Sequence, residues 1–203
     1  MRRFFIFLIA GWSGFFVMAI ELLSGRILAP NFGNSIYVWG GVITVFMLAL
    51  ALGYLSGGQF SRYVPTLRRL ALLLVFGAIT TIPVMLFGDW ILEWIFDLIQ
   101  DPRYGSLLSA TALFFIPTAI AGMVSPYAVR LLVSDSQLSG HFAGLLYFSS
   151  TFGSAAGTIA TSFYLVLYFE INQILTGLIG ISLILGLLAI FTETSTHAPR
   201  PPA

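Results

Sequence analysis

The chain has 203 residues, 58% of them hydrophobic and 8% charged, with a mean hydropathy of +0.97 and a formal net charge of +1. A soluble domain of this length cannot hide so much apolar side chain, because too large a share of its surface stays in water; a soluble enzyme is excluded, and so small a charge gives no reason to expect nucleic acid. Cysteine is absent, which removes disulfides and thiolate metal sites.

Met1 to Ala19 opens with two arginines, turns apolar and closes on small residues, much as a secretory leader does. Its uncharged run from Phe4 to Ile20 outlasts the roughly 7 to 15 residues of a leader's apolar region, so the stretch is predicted to be an uncleaved first helix. A hydrocarbon core about 30 Å thick takes about 20 apolar residues of helix. Six segments qualify, at about 4–23, 36–60, 70–88, 104–124, 142–169 and 171–191. The expected fold is therefore one all-α integral membrane domain over residues 1–191, with a loose cytoplasmic tail at 192–203.

The densest polar punctuation follows the first helix, where Glu21 and Arg26 precede Pro30, Asn31, Gly33, Asn34 and Tyr37. A charge at membrane depth costs about 2.5–3.5 kcal/mol on insertion scales, so it persists with a partner or a task. Five positions apart on an unbroken helix, Glu21 and Arg26 point away from each other; a direct pair requires the helix to end or unwind near Ser24 and Gly25, and Gly25 permits that. One reading makes Glu21 an ion or proton site at the outer mouth of a cavity, with Arg26 as counter-charge or anion anchor and Asn31, Asn34 and Tyr37 as polar neighbours. The plainer reading lets both reach water, with Arg26 snorkelling.

The second helix carries Ala49, Gly53 and Gly57 at a spacing of four and is followed by an arginine-rich loop with Arg62, Arg68 and Arg69. Beyond the third helix, Asp89, Glu93 and Asp97 recur every fourth residue among tryptophans and aliphatics, the pattern of a helix lying in the interface at about 89–100. Ser125 and Pro126 read as a cap and first turn, so the fourth helix is expected to stop near 124 and a short surface helix with Arg130 to span 126–134. The fifth helix repeats the small-residue ladder as Ser149, Gly153, Gly157 and Thr161. Such ladders let helices approach closely in lipid. Each occupies the middle of a three-helix set, and the sets run in opposite senses, so the pattern suggests a 3+3 inverted repeat of the kind found in transporters.

Orientation follows from arginine. With the N-terminus inside, the inner segments collect Arg2, Arg3, Arg62, Arg68, Arg69, Arg130 and Arg200, against Arg26 and Arg103 outside. The positive-inside rule then places both termini in the cytoplasm of a cell with this chain in its membrane, a bacterial inner membrane being the expected one. There is no glycine-rich nucleotide fingerprint, no P-loop and no zinc or serine-hydrolase motif, so no cofactor, metal or self-contained enzymatic activity is expected.

Four runs carry a resemblance: E-L-x-x-x-R-x-L-A-P-x-F-G-N-S-x-Y-V-W-G at Glu21 to Gly40, L-A-L-G-Y-x-x-G-G reaching Gly58, G-M-x-S-P-Y-x-V-R-L at Gly122 to Leu131, and G-L-L-Y-x-S-S-T-x-G-S-x-x-G-T at Gly144 to Thr158. Together they resemble the membrane portion of the fused major-facilitator/spermidine synthase-like proteins. That resemblance implies half of a facilitator-like transporter. In that family a cytosolic aminopropyltransferase-like domain commonly follows, and no residue of this sequence corresponds to its cofactor or polyamine sites. The leading expectation is a membrane module that binds or passes a small solute with a second copy or a partner membrane subunit, the two small-residue ladders being the docking faces. The alternative is a non-transporting anchor or regulatory subunit that recruits a separately encoded synthase-like protein through Arg62, Arg68, Arg69 and Arg130.

Overall fold

The computed structural model describes residues 2–63, 65–133 and 139–194. Among them every regular element is helical: α1 (Arg2–Phe32), α2 (Ile36–Phe60), α3 (Leu67–Ile79), α4 (Ile82–Leu98), α5 (Pro102–Leu132), α6 (Ser139–Ala160), a π-helical turn over Thr161–Leu165, the single turn α7 (Val166–Tyr168) and α8 (Ile171–Thr194). Five segments are long and apolar enough to cross a membrane, namely α1, α2, α3 with α4 as Leu67–Leu98, α5, and α8 as far as Thr192. Large apolar side chains such as Met47, Phe76, Leu86, Phe148 and Leu188 are exposed around the bundle, which fits a multi-pass membrane protein whose outer solvent is lipid.

Several boundaries differ from the sequence expectations, each for a local reason. α1 does not end near 23 but continues to Phe32. Gly25 does not unwind it, because its bare Cα packs against the Trp39 indole, where a Cβ would collide with the ring. The stop is Gly33, at φ +76°, whose N–H donates to the Ala29 carbonyl at 2.9 Å, the left-handed cap that glycine adopts at least cost.

The third span breaks at Thr80 and Thr81. Both hydroxyls turn back onto the Gly77 carbonyl, at 2.8 and 3.3 Å, and Pro83 opens α4. No separate interfacial helix forms at 89–100: α4 runs through to Leu98 with Asp89, Glu93 and Asp97 exposed along its second half. Likewise α5 passes Ser125 and Pro126 without a break and reaches Leu132. The lost backbone bond is outweighed by packing, since Tyr127 and Ala128 are fully buried immediately after the proline. The surface helix at 126–134 is thus the end of α5, with residue 134 outside the described residues. Of the tail at 192–203, residues 192–194 extend α8 and the rest lie outside the described residues.

Two parallel helix pairs carry the packing. Along α1 and α6, the Ser149 hydroxyl donates to the Phe7 carbonyl at 2.8 Å, Gly153 rests on the Gly11 backbone, and Gly157 rests on Phe15. Along α2 and α5, Gly53 rests on Ala119 and Gly122, Gly57 on Met123, and the Phe60 ring lies 5.8 Å from that of Tyr127. In both pairs the numbers rise together. The ladders, with Ala49 fully buried, therefore face neighbouring helices of the same chain and are not docking faces for a second copy. A β-carbon is what they omit, so backbone meets backbone. The pairs are joined where the Ser13 hydroxyl donates to the Ala121 carbonyl at 3.1 Å, and α8 is tied to α1 by the Trp12 indole N–H donating to Ser182 Oγ at 2.8 Å.

Candidate functional site

An apolar groove of about 390 Å³ runs along the α1–α6 seam between Phe7, Trp12, Phe15, Ser149 and Phe152, and a more polar gap lies where α6 changes its winding. The π turn at Thr161–Leu165 inserts an extra residue per turn and rotates the hydroxyls of Thr161 and Ser162 toward the last turns of α1; such turns are frequent at functional sites. There a pocket of about 250 Å³ opens between Arg26 and Ala29 of α1, Asn34 in the connection to α2, Trp39 in the first turn of α2, and Thr161, Ser162 and Val166. Arg26 is exposed, and its guanidinium donates to the Val166 carbonyl at 3.4 Å. The Trp39 indole N–H donates to Asn34 Oδ1 at 2.5 Å, which pins the loop over the pocket. Thr161 is 0% exposed, and its hydroxyl has no hydrogen-bond partner.

Of the residues singled out from the sequence, the structure brings Arg26 and Asn34 to this pocket and leaves the others apart. Glu21 is half-buried on α1 and outside the lining. Its expected pairing with Arg26 is not made: the helix stays wound between them, so about 100° per residue carries the two side chains to different faces, and no ion pair joins them. Asn31 lies outside the lining too. Tyr37 is exposed and holds the Arg103 guanidinium 4.7 Å above its ring, a cation–π contact at the head of α5.

Trp39, Thr161 and Ser162 complete the site and were not legible as site residues. Thr161 read as one more rung of the small-residue ladder. The signal available was two adjacent hydroxyls in an otherwise apolar run, but no pattern in TSFYL announces a π turn.

At the opposite end of the bundle, a wider opening of about 610 Å³ is lined by Ser56, Gln59, Phe60, Arg62, Tyr63 and Met123. Arg68 and Arg130 are exposed at the same end, and the Arg69 guanidinium stands 6.0 Å from the Phe60 ring centroid. Among the described residues no group of three or more histidine, aspartate or glutamate side chains is placed to hold a metal ion. No family model, curated protein or solved structure matches the chain.

Proposed function

We propose that this chain is the six-span half of a facilitator-like membrane assembly that binds a small polar solute in the pocket at the end of α1 and passes it with the help of a second copy or a partner subunit. One observation carries the reading: a cation, a side-chain amide and two hydroxyls converge on a cavity at a π turn within an otherwise apolar bundle. Polar groups gathered in a bundle that lies in lipid are costly unless they find partners or serve a ligand.

The proposed sixth span is α6 with its π turn. Glycine, serine and threonine make it less apolar than the other five, but it lies along α1 from Phe7 to Arg26, and a helix packed along a spanning helix for that distance crosses with it. The inverted repeat is supported by paired contacts. Gly53 and Gly57 of α2 meet positions 119 and 123 of α5, and Gly153 and Gly157 of α6 meet positions 11 and 15 of α1; Gly122 meets the Leu50 carbonyl as Gly14 meets that of Ser150. Swapping α1 with α5 and α2 with α6 therefore reproduces the contact pattern, and because α1 parallels α6 while α2 parallels α5, the swap reverses direction across the membrane. We place the pocket on the outer side, since Arg2, Arg3, Arg62, Arg68, Arg69 and Arg130 all sit at the other end.

In proteoliposomes, saturable uptake is expected for at least one labelled solute from a panel of amino acids, polyamines and short organic acids, and Arg26→Gln should abolish it with helix content unchanged. Flux no greater than in empty liposomes for every solute ends the transport reading. The exposed Arg62 and Arg130 favour a second reading, an anchor for a cytosolic synthase-like protein; it predicts a soluble partner that co-purifies and is lost when Arg62, Arg68, Arg69 and Arg130 are neutralised together.

A further inference from the structure

We infer that the pocket at the end of α1 takes an oxyanion, a carboxylate or phosphate group on a small body with a short apolar part; this rests on the solute-binding reading above and narrows it to a charge class. The lining has donors to give and no negative charge to answer them. Arg26 spends one guanidinium N–H on Val166, at the long distance of 3.4 Å, and keeps the rest of its planar fork, whose geometry matches carboxylate and phosphate oxygens. Among the described residues no ion pair joins it to an acid.

Asn34 accepts the Trp39 indole N–H on its amide oxygen, which leaves both hydrogens of its NH₂ to donate. Ser162 contributes an exposed hydroxyl, and the Thr161 hydroxyl, wholly buried on the same wall, is left without a partner. A buried hydroxyl left without a partner is costly, and an acceptor arriving at this wall would relieve it. A cation would meet the guanidinium and find no carboxylate. The rest of the wall, Leu22, Ala29 and the Trp39 ring, is apolar, which suits a short hydrocarbon body attached to the anionic head.

Two sources share this chemistry, a free organic acid and the headgroup of an anionic phospholipid. The test uses the full chain in nanodiscs of phosphatidylcholine, with butyrate as probe, butyramide as its neutral counterpart, and tryptophan fluorescence as readout. Butyrate should change the emission saturably, and the change should vanish in Trp39→Phe. Butyramide should bind at least about tenfold more weakly, as the loss of a charge-assisted contact implies. Arg26→Gln should weaken butyrate by a similar factor, and Arg26→Lys by less.

Adding phosphatidylglycerol to the disc separates the sources: an unchanged butyrate affinity assigns the site to free solute, and competition assigns it to the headgroup, both consistent with an oxyanion site. Equal binding of butyrate and butyramide, or an Arg26→Gln variant that binds butyrate normally, overturns the inference. Uptake of a neutral or cationic solute, blocked in Arg26→Gln but without butyrate binding, would sink the charge class and leave the solute-binding reading intact; no binding and no uptake of anything would sink both.

Discussion

Single side chains decide what this molecule can hold. Glu21 drew notice because an acid in an oily helix is costly, and Arg26 because it is the nearest cation, but the helix between them stays wound and only Arg26 reaches the pocket. The expected consequence is an asymmetry. Glu21→Gln should alter butyrate affinity by less than about twofold, while Arg26→Gln costs about tenfold, a difference of at least about fivefold or roughly 1 kcal/mol; equal losses in the two titrations would return the site to the Glu21–Arg26 pair. At the other end, the buried Tyr127 hydroxyl accepts from the Thr66 backbone N–H at 3.1 Å, next to the Thr66 Oγ1 that caps α3 through the Arg69 N–H. Tyr127→Phe removes that acceptor and is expected to cost about 1 kcal/mol, read as a lowered midpoint in thermal unfolding of the detergent-solubilised protein. An unshifted midpoint would mean water replaces the phenol.

At the level of elements, the ladders matter through what they lack. A methyl group added at Gly153 would fall on the Gly11 carbonyl, so α6 must move off α1, whereas one added at Gly144 of the same helix meets open space. Gly153→Ala should therefore destabilise the fold by about 1–3 kcal/mol, as overpacking does. Gly144→Ala should be neutral or gain a few tenths of a kcal/mol, since it only restricts the unfolded chain. Denaturation in mixed micelles compares them, and identical midpoints would deny the close approach. The same elements show where local signals mislead. Ser125 and Pro126 look like a helix start, and Gly25 like a helix end, yet both are overridden because the residues beside them are buried against other helices. Propensity is worth about 1 kcal/mol for a glycine and about 3 for a proline, and the many van der Waals contacts of a large, closely packed side chain such as Tyr127 oppose it.

For the whole molecule, the question is how many times the chain crosses. If α6 spans, Gln100 and Glu170 lie on one side of the membrane and Arg62 on the other. The cysteine-free sequence allows single cysteines at these positions to be labelled with an impermeant thiol reagent in oriented vesicles. Gln100→Cys and Glu170→Cys should react from the same side, Arg62→Cys from the opposite one; reaction of position 170 from the Arg62 side would remove the sixth span and the inverted repeat together.

Composition alone determined that this chain belongs in lipid, because 58% hydrophobic residues cannot be buried by so short a chain in water, and the apolar runs between charges located the cores of the long helices, although α1, α4 and α5 run about two to three turns past the expected ends at 23, 88 and 124, to Phe32, Leu98 and Leu132. The glycine spacing also announced helices that touch. Which helices touch, and that the ladders face inward, required the tertiary structure, since a small-residue stripe fits any partner backbone equally well. The pocket was decided there too: Arg26, Trp39 and Thr161 are far apart in the chain, and they meet only because α1 and α6 run parallel and α6 rewinds at the level where α1 ends.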